Sequence, residues 1–332
     1  MALSVATPTV CGSLDPADWE AFRARAHRLL EQVLDHLQTA ASGPVWRPVP
    51  PAVRAATQRP LPRQPTDGDV IARDLAELVL PHGVGNTHPR FFGWVHGAGT
   101  PGGVLAELVT AAVNANCGGR EHAAVYFERQ VLQWAREIFS FPESSSGLLV
   151  SGTSMANLVA VQAARTAALP EARDRGLIAA GGKGLVGYAS SAVHSCIEKA
   201  FGISGLGRDA LRRLPVNDRQ HLDPVHLDNA IQQDKDAGLD PFLVIATAGT
   251  ADTGAMEDLD ALGAIARRHR LWFHVDGAFG ALAILSPAHR HLVAGIERAD
   301  SLAFDFHKWA HVPYDAGCVL IRDEAVHRRA FA

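Results

Sequence analysis

Residues 301–308, SLAFDFHK, carry an apolar, strand-like run directly into a histidine and a lysine. The chain uses lysine sparingly, because only four of its 31 basic residues are Lys and the rest are Arg. Lys183, Lys199 and Lys235 stand among polar, small or charged neighbours, as surface residues do. Lys308 instead follows a predicted buried strand and precedes Trp309. Since arginine in practice cannot lose its proton, this position indicates chemistry that needs a neutral amine.

Short apolar runs of the same kind recur along the chain and alternate with helical patterns. This alternation predicts βαβ units and an α/β fold, in which helices cover a mostly parallel sheet. The predicted strands are 147–150, 185–189, 242–247, 271–275, 301–306 and 317–321. The predicted helices are 104–116, 122–139, 155–168 and 259–269.

The N-terminal part of the chain lacks the alternating strand and helix patterns of the rest. A helical pattern over 15–36 starts at Asp15-Pro16 and is followed by the proline-rich stretch 41–65, which must be an extended connection. We therefore predict an N-terminal helix and Pro-rich arm over 1–67 and a large domain over 68–332.

The composition excludes several classes of protein. A net charge of −4 with 20% charged residues does not indicate a nucleic-acid-binding surface. The four cysteines are far apart and form no CxxC pair, which argues against disulfides and zinc and favours a reducing cytoplasm. The first residues lack the pattern of a signal peptide, and no apolar run is long enough to span a membrane. The 16 histidines include no HExxH pair, so we predict no metal site.

Polar residues follow five of the predicted strands. Ligands of parallel α/β sheets collect at the carboxyl ends of the strands, so these side chains should meet at one edge. They are Ser151 to Ser154 after the first strand, His194 after the second, Thr250 after the third, Asp276 after the fourth, and His307 with Lys308 after the fifth.

Each of these groups has a simple structural explanation and a chemical one. The turn SGTSMANL suits a phosphate through helix N–H groups and the hydroxyls of Thr153 and Ser154, although plain N-capping also accounts for it. A buried Asp276 needs a cation, either an arginine or a protonated pyridine nitrogen. His194 would stack on a ring or serve the fold, and a desolvated Lys308 would form a Schiff base. Together the groups describe a site for pyridoxal phosphate.

Two motifs carry a resemblance to a known family. HVDGAFG, which contains Asp276, and DFHKW, which contains Lys308, are separated by 32 residues from carboxylate to amine. This order and spacing resembles the pyridoxal-phosphate-dependent group II amino-acid decarboxylases, which include the aromatic-L-amino-acid, histidine and glutamate decarboxylases. The resemblance runs from about His88 to the last residue. It implies the aspartate-aminotransferase-like fold of type I enzymes and a homodimer with its sites at the subunit interface.

The same resemblance implies a role for each matching residue. Lys308 would carry the cofactor, Asp276 would pair with the pyridine nitrogen, and His194 would stack on the ring. Cofactor contacts are also implied for five further residues, with phosphate held by Thr153, Ser154 and His307 and the cofactor lined by Thr250 and Ala278. The domain over 68–332 would then be the cofactor-binding domain.

The segment from His88, HPRFFGWVHGAGTPGG, resembles the part of the family that shapes the substrate pocket. Aromatic-specific members carry an aromatic pair and then Pro-Thr here, whereas this chain has Trp94, Val95 and His96. We expect an L-amino acid as substrate, with an aromatic one favoured, and an amine and CO2 as products.

Family members continue with a mobile loop, whose tyrosine protonates the product carbon, and then with a small C-terminal domain. This sequence ends with RRAFA, roughly where that loop would begin. The expectation is therefore a chain without the C-terminal domain, which forms the cofactor pocket but decarboxylates poorly.

Other functions stay open on the sequence alone. An aldehyde synthase, an aminotransferase or a lyase of the same fold type would share Lys308 and Asp276, and a non-catalytic shortened relative would also fit. A serine hydrolase is suggested by GTSMA from Gly152, with His96 and Asp252 as partners. The order His, Ser, Asp differs, however, from the Asp, His, Ser order of subtilisin-like proteases.

Overall fold

The computed structural model describes residues 15–118, 121–182 and 184–332. It contains two compact units, Met1–Phe92 and Gly93–Ala332. The division at residue 68 stays a prediction. Cys11, Lys183 and the expected lack of a signal peptide fall outside the described residues. Within those residues, no helix has the length and apolar character that a bilayer crossing requires.

The first unit contains helices α1 (Trp19–Thr39), α2 (Pro51–Ala56) and α3 (Gly68–Asp74). The prediction that the whole stretch 41–65 is extended was wrong, because Pro51 starts α2 at its first turn, where a proline is tolerated. Helix α1 begins later than predicted, because the Asp18 carboxylate accepts hydrogen bonds from the backbone N–H groups of Glu20 and Ala21 and so caps it. An ion pair of 2.9 Å between Arg25 and Asp69 ties α1 to α3. No hydrophobic side chain among residues 15–92 is buried.

A seven-stranded sheet forms the centre of the second unit. Its strands are β1 (Ser146–Val150), β2 (Leu185–Ser190), β3 (Leu211–Leu214), β4 (Asp240–Thr247), β5 (Trp272–Asp276), β6 (Ser301–Asp305) and β7 (Gly317–Ile321). The order across the sheet is β1-β7-β6-β5-β4-β2-β3. Strand β7 runs antiparallel to both of its neighbours, and all the other pairs are parallel. The predicted mostly parallel sheet is thus confirmed.

Helices cover both faces of this sheet. The helices of this unit are α4 (Pro101–Val113), α5 (Ala123–Ile138), α6 (Thr153–Ala168), α7 (Ala172–Ala179), α8 (Ser195–Ile203), α9 (Pro224–Asp236), α10 (Leu259–His269) and α11 (Glu324–Phe331). Of these, α4 has no buried residue and is not among the helices that cover the sheet.

Alternate side chains of β4 point to opposite faces, as the two-residue period of a strand requires. Val244 and Ala246 pack in the cluster that contains the apolar faces of α9 and α10. Leu243 and Ile245 pack in the cluster that contains those of α6 and α8. The central strands are therefore buried on both sides, which leaves the strand ends as the places where polar groups reach a ligand.

Candidate active site

The carboxyl ends of the parallel strands meet at one edge of the sheet. Thr247 at the end of β4 is in register with Asp276 at the end of β5, and Asp276 is in register with Ala303 on β6. The structure therefore brings the predicted strand-end residues into one region.

Lys308 lies just beyond the end of β6 and forms an ion pair. Its Nζ is 2.8 Å from Oδ2 of Asp305, whose side chain is only 2% exposed. His307 lies 3.5 Å from the same oxygen through Nε2. The backbone N–H of Ala316 donates to Nδ1 of His307, so the ring hydrogen of the neutral histidine is on Nε2 and faces Asp305. Burial lowers the pKa of His307, which favours this neutral form.

The start of helix α6 lies against the same carboxylate. The backbone N–H of Thr153 donates to Oδ1 of Asp305 at 2.8 Å. The Thr153 side-chain hydroxyl is buried and has no hydrogen-bond partner among the described residues. An unpaired buried hydroxyl costs about 1–3 kcal/mol, so it indicates a place where a ligand oxygen would bind. Ser154 is exposed beside it and lies within reach of the Cys196 thiol.

Asp276 is buried, with 3% of its surface exposed. One carboxylate oxygen accepts a hydrogen bond of 2.9 Å from the Asn157 side chain, and the other accepts one of 3.2 Å from the backbone of Ala278. Burial raises the pKa of Asp276, and these hydrogen bonds with the charges of Lys308 and His194 oppose that shift. Among the described residues Asp276 has no ion pair within 4 Å. Its charge therefore suits a cation supplied by a ligand.

His194 and Thr250 lie at the ends of β2 and β4. His194 is exposed and caps α8, where its Nδ1 accepts a hydrogen bond from the backbone of Cys196. Thr250 is buried, and its hydroxyl is bonded within its own turn to Thr253 and to the backbone of Ala255.

The predicted substrate segment lies beside the lysine. The backbone N–H of Gly97 donates to the carbonyl of His307, and a Cβ at position 97 would lie 2.2 Å from that oxygen. Glycine therefore permits this close approach. The Trp94 side chain stacks on His96 with a centroid distance of 5.8 Å, and half-buried Val95 lies between them in the chain. His96 in turn meets the edge of Tyr314.

Tyr314 connects this aromatic group to the lysine turn. Its ring is 5.7 Å from that of His96 and stacks on His307 at 4.1 Å. The structure thus joins Trp94 and His96 to the region of Lys308 through one series of rings.

Several residues of the site were not predicted from the sequence. They are Asn157, His274, Ser301, Asp305 and Tyr314. Asp305 carried a signal, because a carboxylate inside the apolar run SLAFDF is costly to bury without a partner. The others are recognisable only once the strands and α6 are assembled.

A primary amine, a buried carboxylate without an ion pair and an unpaired hydroxyl at a helix start define a class of α/β enzymes. These enzymes hold a phosphorylated ring cofactor at the carboxyl edge of the sheet. The model of the pyridoxal-dependent decarboxylase conserved domain matches residues 50–332, and the chain belongs to that family.

Known relatives agree with this assignment. The chain is 30% identical over 320 residues to an aromatic-L-amino-acid decarboxylase of Bacillus atrophaeus, which covers 94% of the chain and 64% of that relative. It is 35% identical over 247 residues to a cysteine sulfinic acid decarboxylase of Mus musculus, which covers 74% of the chain and 50% of that relative. The chain thus spans about two thirds or less of the length of these relatives.

A solved structure confirms the fold. The crystal structure of Oryza sativa TDC with PLP and tryptamine superimposes with a TM-score of 0.85 at 28% identity, covering 96% of this chain and 67% of that one. The predicted α/β fold is therefore confirmed. The GTSMA motif lies within the part of the chain that matches the decarboxylase domain, which argues against the serine-hydrolase interpretation.

The residues present fit pyridoxal phosphate, the cofactor of this family. The unpaired Thr153 hydroxyl provides a partner for a phosphate oxygen, Asp276 a counter-charge for a ring N–H, and Lys308 a primary amine. Among the described residues, no group of three or more His, Cys, Asp and Glu side chains could hold a metal ion.

Proposed function

We propose that this chain binds pyridoxal phosphate and decarboxylates an L-amino acid, preferably an aromatic one, to the amine and CO2. The observation that carries the proposal is the meeting of the Lys308 amine, the buried Asp276 carboxylate and the unpaired Thr153 hydroxyl at one edge of the sheet. Lys308, Asp276 and His194 would be the catalytic residues.

Each residue would hold a different part of the cofactor. Thr153, Ser154 and His307 would hold the phosphate, Lys308 the aldehyde carbon through its amine, and His194 one face of the ring. Thr250 and Ala278 would line the site. When bound, the cofactor supplies an electron sink for the bond between the α-carbon and the carboxylate of the substrate.

The chain's own residues would control protons and orientation. The Asp276 carboxylate would hold a proton on the ring nitrogen, where a positive charge strengthens the electron sink. The backbone N–H of Ala316 donates to Nδ1 of the neutral His307, which keeps that imidazole fixed beside the lysine. Asp305 holds the Lys308 amine in place by its ion pair.

Trp94, Val95 and His96 would form the substrate pocket. An aromatic substrate is supported by the rings of Trp94, His96 and Tyr314, against which an aromatic side chain would pack. The relatives named above act on aromatic amino acids and on cysteine sulfinic acid, so both kinds of substrate belong in the test.

The first experiment is borohydride reduction of the chain with pyridoxal phosphate, followed by peptide mass spectrometry. We expect a covalent adduct on the peptide that contains Lys308. Lys308→Arg keeps a cation next to Asp305 but cannot form the adduct, whereas Lys199→Arg, on the exposed part of α8, should leave it unchanged. A folded wild-type chain without an adduct would overturn the proposal.

The second experiment identifies the reaction. The chain is incubated with L-tryptophan, L-tyrosine, L-glutamate and cysteine sulfinic acid, and CO2, amine, aldehyde and ammonia are measured. Amine and CO2 in equal amounts support a decarboxylase. Aldehyde and ammonia would indicate an aldehyde synthase, and a bound cofactor with no product would indicate a non-catalytic relative.

A homodimer is part of the same proposal. Helix α4 is rich in apolar residues, yet it has no buried residue within the chain. Its exposed side chains include Leu105, Leu108, Val109 and Val113. We infer that a second copy of the chain covers this face. A cytoplasmic location fits the free thiols of Cys117, Cys196 and Cys318.

A further inference from the structure

A continuous chain of hydrogen bonds leads away from the back of Asp276. The Trp272 indole nitrogen is 2.8 Å from the Ser301 hydroxyl, and that hydroxyl is 2.8 Å from Nδ1 of His274. Nε2 of His274 is 2.8 Å from Oδ1 of Asn157, whose Nδ2 is 2.9 Å from Asp276. Ser301, His274 and Asn157 are each 0% exposed. We call these three residues the relay.

The fold places the relay on three different elements. His274 and Asp276 are two residues apart on β5, so their side chains point to the same face of the sheet. Ser301 begins β6 and is in register with His274. Asn157 reaches them from α6. The relay is thus a fully buried polar contact between the sheet and the helix that starts at the candidate phosphate site.

The direction of every hydrogen bond in the relay is fixed by its two ends. A carboxylate only accepts, so Asn157 must turn its N–H towards Asp276 and its carbonyl oxygen towards His274. Nε2 of His274 must then carry the hydrogen, and Nδ1 of the neutral ring accepts from the Ser301 hydroxyl at 2.8 Å. The Ser301 backbone carbonyl lies 3.2 Å from the same Nδ1, and it receives no hydrogen bond from a ring with its hydrogen on Nε2. At the other end the indole N–H can only donate, and it donates to Ser301.

All donors therefore point towards Asp276. Aligned hydrogen bonds polarise one another, and their positive ends favour the ionised carboxylate without neutralising its charge. Burial lowers the pKa of His274 to about 4, so the ring is neutral at neutral pH. A cationic His274 would have neutralised part of the Asp276 charge from the protein side. Less negative charge would then have faced the ligand.

We propose that Asn157, His274 and Ser301 are positioning residues that hold Asp276 ionised and aimed at the ring nitrogen of the cofactor. This inference rests on the proposed function for the identity of the ligand. The arrangement of hydrogens within the relay, however, is a property of the chain alone and is measured without cofactor.

The first test uses the free wild-type chain. Its histidine nitrogens are observed by 15N NMR, and the His274 signals are identified by their loss in His274→Gln. We expect a neutral ring with hydrogen on Nε2 at pH 7 and still at pH 5. A ring with hydrogen on Nδ1, or an imidazolium at pH 7, would overturn the proposal.

The second test compares pyridoxal phosphate with its 1-deaza analogue, in which CH replaces the ring nitrogen. Loss of a hydrogen bond to a charged group costs about 1.5–3 kcal/mol, or roughly tenfold or more in affinity. His274→Ala and Asn157→Leu should therefore weaken binding of pyridoxal phosphate at least about tenfold and change binding of the analogue much less. An equal loss for both ligands would show a merely structural role.

Two further variants complete the comparison. In His274→Gln the side-chain amide can still donate to Asn157 and accept from Ser301, so we expect most of the affinity to return. His327 is another buried histidine, bonded to Ser146, and His327→Ala should leave the ratio of the two affinities unchanged. If His274→Ala does not fold, Ser301→Ala replaces it, with the same two ligands.

Failure of this inference is distinguishable from failure of the proposed function. A wild-type chain that forms no adduct at Lys308 contradicts the proposed function, while the NMR result still decides the direction of the relay. An adduct together with equal losses for the two ligands contradicts the relay alone.

Discussion

Asp305 is an acidic residue at a place where the proposed function requires an anion to bind. Its carboxylate accepts from the Thr153 backbone and pairs with Lys308. A phosphate near the Thr153 hydroxyl would be repelled by this charge, since Coulomb energies are large where water is excluded. Asparagine at this position keeps an acceptor for Thr153 and removes the charge.

We therefore expect Asp305→Asn to bind inorganic phosphate several-fold more tightly than the wild-type chain, as measured by calorimetry at low ionic strength. Asp305→Glu is the matched control, because it keeps the charge. Equal or weaker phosphate binding by Asp305→Asn would mean that the ion pair with Lys308 matters more than the repulsion.

The buried His274 also leads us to predict how the free energy of unfolding changes at acid pH. Its pKa is lowered from 6.5 to about 4 by burial, so the unfolded chain takes up this proton at a higher pH than the folded one. The folded state therefore loses stability as the pH falls from 6.5 towards 4, by up to about 3 kcal/mol from this residue. His274→Gln cannot be protonated in this range.

The free energy of unfolding, measured in urea between pH 7 and pH 5, should consequently fall less steeply for His274→Gln than for the wild-type chain. Replacement of exposed His226 by Gln should leave the slope unchanged. Parallel slopes for His274→Gln and the wild-type chain would contradict the prediction.

At the level of elements, the apolar runs predicted six of the seven strands to within two residues at either end. Strand β3 was missed because Leu211–Leu214 contains two arginines and lies at the edge of the sheet, where one side stays polar. Helix α4 begins at Pro101 because Thr100 caps it, a signal that was present in the sequence. Strand β7 lies between β1 and β6 and is antiparallel to both. This pairing depends on residues far apart in the chain, so local sequence patterns do not predict it.

The same limit applies to the candidate site. Asp276 and Lys308 follow predicted strands directly, so their meeting at one edge followed from the sheet alone. Asn157 lies in the body of α6 and His274 in the body of β5, and neither has a local pattern that reveals its partner. Only the packing of α6 on the sheet brings them within 2.8 Å.

The contact between β7 and the start of α6 gives a prediction for these two elements. A Cβ at Gly317 would lie 2.5 Å from Cα of Gly152, too close for any side chain. Gly317→Ala should therefore push the Thr153 turn away, lower the free energy of unfolding by about 1–3 kcal/mol and weaken phosphate binding. Urea unfolding and calorimetry measure the two effects.

Gly202→Ala is the control for this substitution. Gly202 lies in α8, and its added Cβ would meet only Arg208 at 3.9 Å, an ordinary contact. Alanine should stabilise that helix by up to about 1 kcal/mol. If Gly317→Ala unfolds with the same free energy as Gly202→Ala, the turn at the start of α6 can move away from β7 without loss of stability, and the prediction is wrong.

At the scale of the whole molecule, the proposed homodimer predicts a response to charge on α4. Leu108 is 54% exposed on that helix. Leu108→Glu should shift sedimentation from dimer to monomer, because a carboxylate would have to be desolvated at the interface. Ile178→Glu, at an exposed position of α7, should not. A wild-type chain that sediments as a monomer would contradict the dimer.

The position of β7 in the sheet also determines when the candidate site can fold during synthesis of the chain. In the described part of the chain, strand β1 pairs with β7 alone, with Ser146 opposite Ile321, so it has no strand partner until residues 317–321 have left the ribosome. Until then α6 lacks the strand that presses on the Thr153 turn. A nascent chain halted before Gly317 would therefore carry every predicted catalytic side chain and still be unable to capture its ligand.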